Sequence, residues 1–303
     1  MSLIAIILLI VSAVTHAGWN LLTKRQQQPS AAFFLVANMV GFVALIPLLI
    51  IHRNNLLQFP PEVWALLVIT GFFMSVYYCS LAGAYKAGDM SIAYPLARSS
   101  PVIVVTVVML VLRRTDQISI QCILGIVLVV GGCFLIPMQR FADIRLRNYL
   151  NATCMLALVA AFGTAGYSMV DDEALRQLRT AFGDRLNTVS ITLIYASLEA
   201  LSSSLWLAIL VASRHVERLN FRQVMQASKK TAILTGIGIY GTYALVLISM
   251  AFVKNISYVV AFRQLSIPLG VGLGIMIMGE SPYRPKIIGV GIMFIGLILV
   301  GIG

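Results

Sequence analysis

Four ionisable residues lie inside long apolar runs of this chain: His16, Arg98, Glu199 and Arg263. A charge at the centre of a bilayer costs roughly 2.5–3.5 kcal/mol on insertion scales, so such groups turn toward a protein interior or a watery cavity and mark paths for solutes or protons. His16, Asn20 and Lys24 recur at every fourth residue, which on a helix places them in one stripe, with Trp19 beside it. The stripe reads either as a polar seam bonded to a neighbouring helix or as one wall of a binding cavity. Lys24, at its end, is expected to snorkel to the interface.

Tyr94 and Arg98 are also four apart, and Pro95 and Pro101 interrupt the same run. Proline removes a backbone donor and bends a helix, and broken helices border binding sites in many transporters. Arg263 and Gln264, ahead of Pro268, occupy the corresponding stretch of the second half. The alternative is that the prolines only shape a bundle and Arg98 meets a carbonyl. Glu199 is the one carboxylate deep in an apolar run. It could relay a proton, a role also open to His16, or neutralise Arg98 or Arg263. Tyr78, Tyr94, Tyr167 and Tyr243 would add aromatic walls with hydroxyl groups, as would Tyr77 and Tyr240.

The elements that must position these residues follow from composition. The chain has 303 residues, 59% apolar and 11% charged, with a mean hydropathy of +0.93. A soluble domain carries about 25% charge, so a water-soluble enzyme is excluded. The apolar runs are unbroken, whereas the strands of an outer-membrane barrel alternate. The expected fold class is therefore an all-α integral membrane protein. The net charge of +11 fits basic loops meeting anionic lipid. No basic stretch is interleaved with aromatics, so nucleic acid is not an expected partner. Cys79, Cys122, Cys133 and Cys154 lie in apolar runs without a C-x-x-C pair and read as packing residues, with no metal site. Residues 1–17 lack a basic n-region, and the apolar run continues past them, so they read as an uncleaved first helix rather than a signal peptide.

A helix needs about 20 apolar residues to cross the hydrocarbon core. Ten runs meet this, near 2–22, 31–51, 62–84, 90–112, 118–136, 149–170, 189–212, 231–253, 257–278 and 285–302. The longest connections, 171–188 and 213–230, hold most of the loop charge and read as solvated. Sliding the second half over the first aligns His16–Asn20 with Thr164–Ser168, Gly71 and Tyr78 with Gly236 and Tyr243, Ser99 and Pro101 with Ser266 and Pro268, and Gly125 and Gly132 with Gly289 and Gly296. Two repeats, 1–140 and 146–303, are expected. Five spans per repeat make the second copy enter from the opposite side, so ten transmembrane helices form two inverted five-helix repeats, a plan frequent in secondary transporters. The glycine runs read as close helix contacts.

The chain resembles the EamA-type transporters of the drug/metabolite transporter superfamily. The segments that carry the resemblance are His16-Ala17-Gly18-Trp19-Asn20-Leu21-Leu22-Thr23-Lys24, the stretch Ala84 through Pro101 with Gly88-Asp89-Met90-Ser91-Ile92-Ala93-Tyr94-Pro95-Leu96-Ala97-Arg98, and Met278-Gly279-Glu280 before a glycine-rich last span. Repeats of that type often end their fourth helix in Gly-Glu. The second half keeps Gly279-Glu280, but the first has Leu112-Arg113-Arg114 in its place. The resemblance implies that both termini are cytoplasmic. Lys and Arg number 13 in odd-numbered loops and 7 in even-numbered ones, which by the positive-inside rule places the termini outside; the two indications disagree.

The expected function is a secondary active transporter, an exporter, in the plasma (inner) membrane. It would work by alternating access on a small polar or amphipathic metabolite. Two intramembrane arginines against one glutamate favour a substrate with an anionic group, such as an amino acid or organic acid. His16, Trp19, Asn20, Tyr78, Tyr94, Arg98, Tyr167, Tyr243, Arg263 and Gln264 are the expected substrate-binding residues, with Glu199 or His16 for proton coupling. No cofactor is expected. The expected partners are a small-molecule substrate and membrane lipid, the state a monomer or weak homodimer. A scaffold or channel is the alternative. An intramembrane enzyme is less favoured, because His52 and His215 lie in loops and neither H-E-x-x-H nor G-x-S-x-G occurs.

Overall fold

The computed structural model describes residues 3–26, 29–99, 119–142, 149–250, 259 and 262–302, and every regular element among them is helical. In chain order these are α1 (Leu3–Lys24), α2 (Ala31–Ile51), the short α3 (Arg53–Leu56), α4 (Pro61–Ala87), α5 (90–99), α6 (Ile120–Leu135), α7 (Ala152–Phe182), α8 (Thr188–Ser213), α9 (His215–Gln223), α10 (Lys229–Met250), α11 (Ser266–Met278) and α12 (Arg284–Ile302). Six of these, α1, α2, α4, α7, α8 and α12, are long and apolar enough to cross a membrane, while α6 and α11 are shorter apolar helices. Pro101, the Leu112-Arg113-Arg114 segment and the start of the expected ninth span lie outside the described residues.

The helix ends follow local chemistry. Ser30, Ser119 and Asn187 each accept a hydrogen bond from the backbone N–H three residues on, at the starts of α2, α6 and α8. Such a cap satisfies one of the amides that a helix start leaves without a partner. Pro61 opens α4 where its missing N–H costs nothing. Gly279 ends α11 in the left-handed conformation, with φ of 71°, which a residue without Cβ adopts freely. Many large apolar side chains stay exposed, among them Ile7, Val43, Phe72, Leu205 and Met276. In water so many would be a liability; against acyl chains they are the expected surface.

Two expected loops prove to be helical. The stretch 171–188 continues α7 to Phe182, because Ala174, Leu178 and Phe182 form a buried stripe at four-residue spacing under the charged face. The stretch 213–230 holds α9, a π-helical turn at Val224–Ser228 and the start of α10. Its charges are partly employed: Glu217 accepts the Ala32 N–H at 3.1 Å, an anion at the N-terminus of α2.

The helices pack as two compact units. One comprises Met1–Pro29, Ser80–Phe162 and Gly238–Gly303, the other Ser30–Cys79 and Gly163–Ile237. Each takes pieces from both expected repeats. In the first unit α6 and α12 meet through glycines. A Cβ on Gly125 would sit 2.6 Å from the Gly296 carbonyl oxygen, and one on Gly132 2.6 Å from that of Gly289. Gly131, one residue away, has open space. Gly132→Ala is expected to destabilise the purified protein by about 1–3 kcal/mol through overpacking, with Gly131→Ala close to neutral; paired thermal melts check this. In the second unit Phe59, Val63, Leu67, Leu178, Ile194 and Tyr195 build an apolar core. Beside it, Asn38 donates to Ser203 Oγ at 2.9 Å, tying α2 to α8.

Candidate functional site

In the first unit the polar stripe of α1 faces α5. The His16 ring centroid lies 6.0 Å from that of Tyr94, and the charges of Arg98 and Arg263 act on the same imidazole. Tyr94 fits because Gly270 of α11 has no side chain: a Cβ there would lie 2.4 Å from the tyrosine ring. Arg263 and Gln264 sit immediately ahead of α11, where the Ser266 hydroxyl donates to the Arg263 carbonyl at 2.9 Å. The site thus draws on α1 and α5 from the first half of the sequence and on residues 263–270 from the second.

Polar atoms with no hydrogen-bond partner among the described residues are concentrated here. They include His16 Nε2, Arg98 Nε and Gln264 Oε1, all buried. The Tyr94 hydroxyl lies toward the Ser266 side chain without completing a hydrogen bond. Leaving a buried donor or acceptor without a partner costs about 1–3 kcal/mol, more for a charged group. Several together mean that the described residues leave these groups without the partners that burial calls for.

The other polar groups of the stripe are committed. Trp19 Nε1 donates to His16 Nδ1 at 2.9 Å. Asn20 donates to the His16 carbonyl at 2.8 Å and accepts from the Tyr85 hydroxyl at 2.7 Å, so both ends of its amide are used inside the protein. Lys24 does not snorkel. Its amine donates to the carbonyls of Tyr85 and Gly88, a cation at the C-terminal end of α4. Tyr243 lies on α10 in this unit and is half-buried.

Tyr78, Tyr167 and Glu199 belong to the second unit. Tyr78 is buried and stacks on Phe34 at 4.7 Å, and Tyr167 meets the Tyr77 ring edge-on at 6.0 Å. Glu199 lies on α8 one turn beyond Tyr195, and its charged neighbour there is Asp171, another carboxylate. Asp171 accepts from the Thr70 hydroxyl at 2.6 Å and the Tyr195 hydroxyl at 2.7 Å. Sequence reading passed over Asp171 because it lies beside Asp172 and Glu173 in a stretch that read as a solvated loop.

A polar node at the α4–α5 break was also missed. Glu280, buried after α11, accepts the Met90 and Ser91 N–H groups, each at 2.7 Å, at the start of α5. Lys286 on α12 is fully buried and donates to Ser91 Oγ at 2.8 Å and the Ser281 carbonyl at 2.9 Å, with Asp89 at 3.5 Å. The Gly88-Asp89 and Gly279-Glu280 motifs were visible signals, but nothing in their spacing says that they meet.

Residues 3–138 match the model of the EamA-like transporter family, which lies within the drug/metabolite transporter superfamily, so the resemblance read from the sequence holds over this stretch. No curated protein matches the chain. With six helices long and apolar enough to cross a membrane, and every regular element among the described residues helical, the chain is an integral, multi-pass membrane protein.

Proposed function

We propose, from the premise that residues 3–138 are an EamA-like transporter segment, that the chain is a secondary active exporter of the plasma (inner) membrane. It moves a small polar or amphipathic metabolite bearing an anionic group, by alternating access. Its ten helices form two inverted repeats, 1–140 and 146–303. The contacts of α6 with α12 support this plan. Gly125 corresponds to Gly289 and Gly132 to Gly296, while the close approaches run Gly125 to Gly296 and Gly132 to Gly289. Crosswise contact between equivalent positions is what a local two-fold axis produces.

The observation that carries the substrate class is the set of buried atoms with no hydrogen-bond partner among the described residues, His16 Nε2, Arg98 Nε and Gln264 Oε1, contributed by both halves. An arginine is a donor only, and Arg263 adds a second positive charge to the same place. A carboxylate or similar oxyanion supplies the missing acceptor. Gln264 then accepts from a hydroxyl or amine elsewhere on the solute. The tyrosine Tyr94 and, on this reading, Tyr243 provide the walls, and Glu199 beside Asp171 is the group that couples a proton.

A ligand that binds the folded state raises its melting temperature. The full chain in detergent should be stabilised by members of an acid panel (benzoate, succinate, L-leucine) and left unchanged by benzylamine, tetraethylammonium and glucose. Stabilisation by the cations alone would overturn the reading.

A further inference from the structure

We infer that Trp19 is a positioning residue for this site: its indole N–H locks the His16 tautomer, so that His16 presents a fixed Nε2–H donor inward and acts as a neutral donor rather than a proton carrier. The inference rests on the proposed binding site and adds a role that the polar stripe alone does not give.

The geometry is specific. Trp19 and His16 are three apart on α1, so one turn of helix brings the two rings together, with centroids 5.0 Å apart and nearly edge to face. The indole nitrogen can only donate. The 2.9 Å contact from Trp19 Nε1 to His16 Nδ1 therefore requires a lone pair on Nδ1. A neutral imidazole with its lone pair on Nδ1 carries its proton on Nε2, and Nε2 is the buried atom without a partner among the described residues. A second proton, on Nδ1, would meet the Trp19 N–H donor against donor, so the ring that keeps this bond is neutral. The indole is itself held. Trp19 is buried, and Gly238 of α10 approaches so closely that a Cβ there would lie 2.9 Å from Trp19 Cβ.

The groups that face the imidazole act in the same sense. Tyr94 and Arg98 face it from α5 and Arg263 from the stretch before α11. None is a carboxylate that would draw a proton onto the ring. His16 Nε2–H and Arg98 Nε–H are then two donors with one common need, an acceptor oxygen. A proton moved by this protein travels through other groups.

The test uses the full chain in lipid nanodiscs with 15N-labelled histidine and tryptophan. There are three residues of each type, so His16→Gln and Trp19→Phe assign the resonances. The wild type should show His16 as a single neutral Nε2–H form between pH 8 and pH 6, with a scalar coupling between Trp19 Nε1 and His16 Nδ1 across the shared proton. In Trp19→Phe the Nδ1–H form should become visible beside the first. A wild-type ring that carries its proton on Nδ1, mixes the two forms or becomes doubly protonated in this range overturns the inference, as does a Trp19→Phe spectrum like that of the wild type. If Trp19→Phe does not fold, the wild-type tautomer and coupling decide alone. No substrate is needed. A negative acid panel with a locked His16 therefore counts against the transport reading only, and a mixed tautomer with a positive panel counts against the lock only.

Discussion

Glu280→Ala should lower the melting temperature of the purified protein more than any other single truncation at a helix end. Its two carboxylate oxygens each take one backbone N–H of α5, both at 2.7 Å and buried. Charge-assisted bonds of this kind contribute about 1.5–3 kcal/mol each, and the carboxylate also faces the positive end of the α5 dipole. Alanine leaves both amides without acceptors. A loss of about 3–5 kcal/mol follows, which corresponds to at least about 5 °C in a melt. Glu280→Gln should recover little, because its NH2 group turns a donor toward one of the two donors it must satisfy. A melt within about 1 °C of wild type for Glu280→Ala would mean that water or another group caps α5 equally well.

The same node shows where sequence reading stops. Helices were legible because their signal is local: unbroken apolar runs set the existence of α1, α2, α4 and α8, and a residue's place on a stripe, such as His16 with Asn20, needs only the helical period. What Glu280 does was not legible. Its partners lie 189 and 190 residues away, and no periodicity links Gly279-Glu280 to Asp89-Met90-Ser91. Lys286 reads as a loop charge beside Pro285, yet it is fully buried; a lysine can be so only because Ser91, Ser281 and Asp89 converge on its amine. The end of α7 failed for the opposite reason. Asp171, Asp172, Glu173 and Arg176 made the stretch look solvated, while the decisive signal was the sparse row Ala174, Leu178 and Phe182 packed against Phe59 and Ile194. Charge density describes one face of a helix and says nothing of the other. For the proposed binding site, the residue types Arg98 and Gln264 were evident, but that Arg98 Nε and Gln264 Oε1 find no partner among the described residues was not, since absence of a contact is a property of the packed structure alone.

That absence makes Arg98→Ala the mirror image of Glu280→Ala. Arg98 Nε is buried and holds no hydrogen bond among the described residues, so alanine here forfeits no bond at that atom. Such a deletion is close to neutral or stabilising, by the same asymmetry that makes the loss of a satisfied partner expensive. The melting temperature without ligand should therefore stay level or rise. Acid binding should fall, because the ligand's anion loses a desolvated charge partner, a change worth about 2 kcal/mol or more, or roughly thirtyfold in affinity. In proteoliposomes, transport of the acid chosen by the thermal screen should fall at least as far. Arg98→Lys should recover part of it, since it keeps the charge but not the planar fork that meets a carboxylate with two parallel bonds. The decisive comparison is the sign of the two effects in one variant: lower acid affinity with an undiminished melt places Arg98 against the solute, whereas a steep drop in the melt with unchanged acid binding would make it a strut of α5 and remove the anionic group from the proposed substrate.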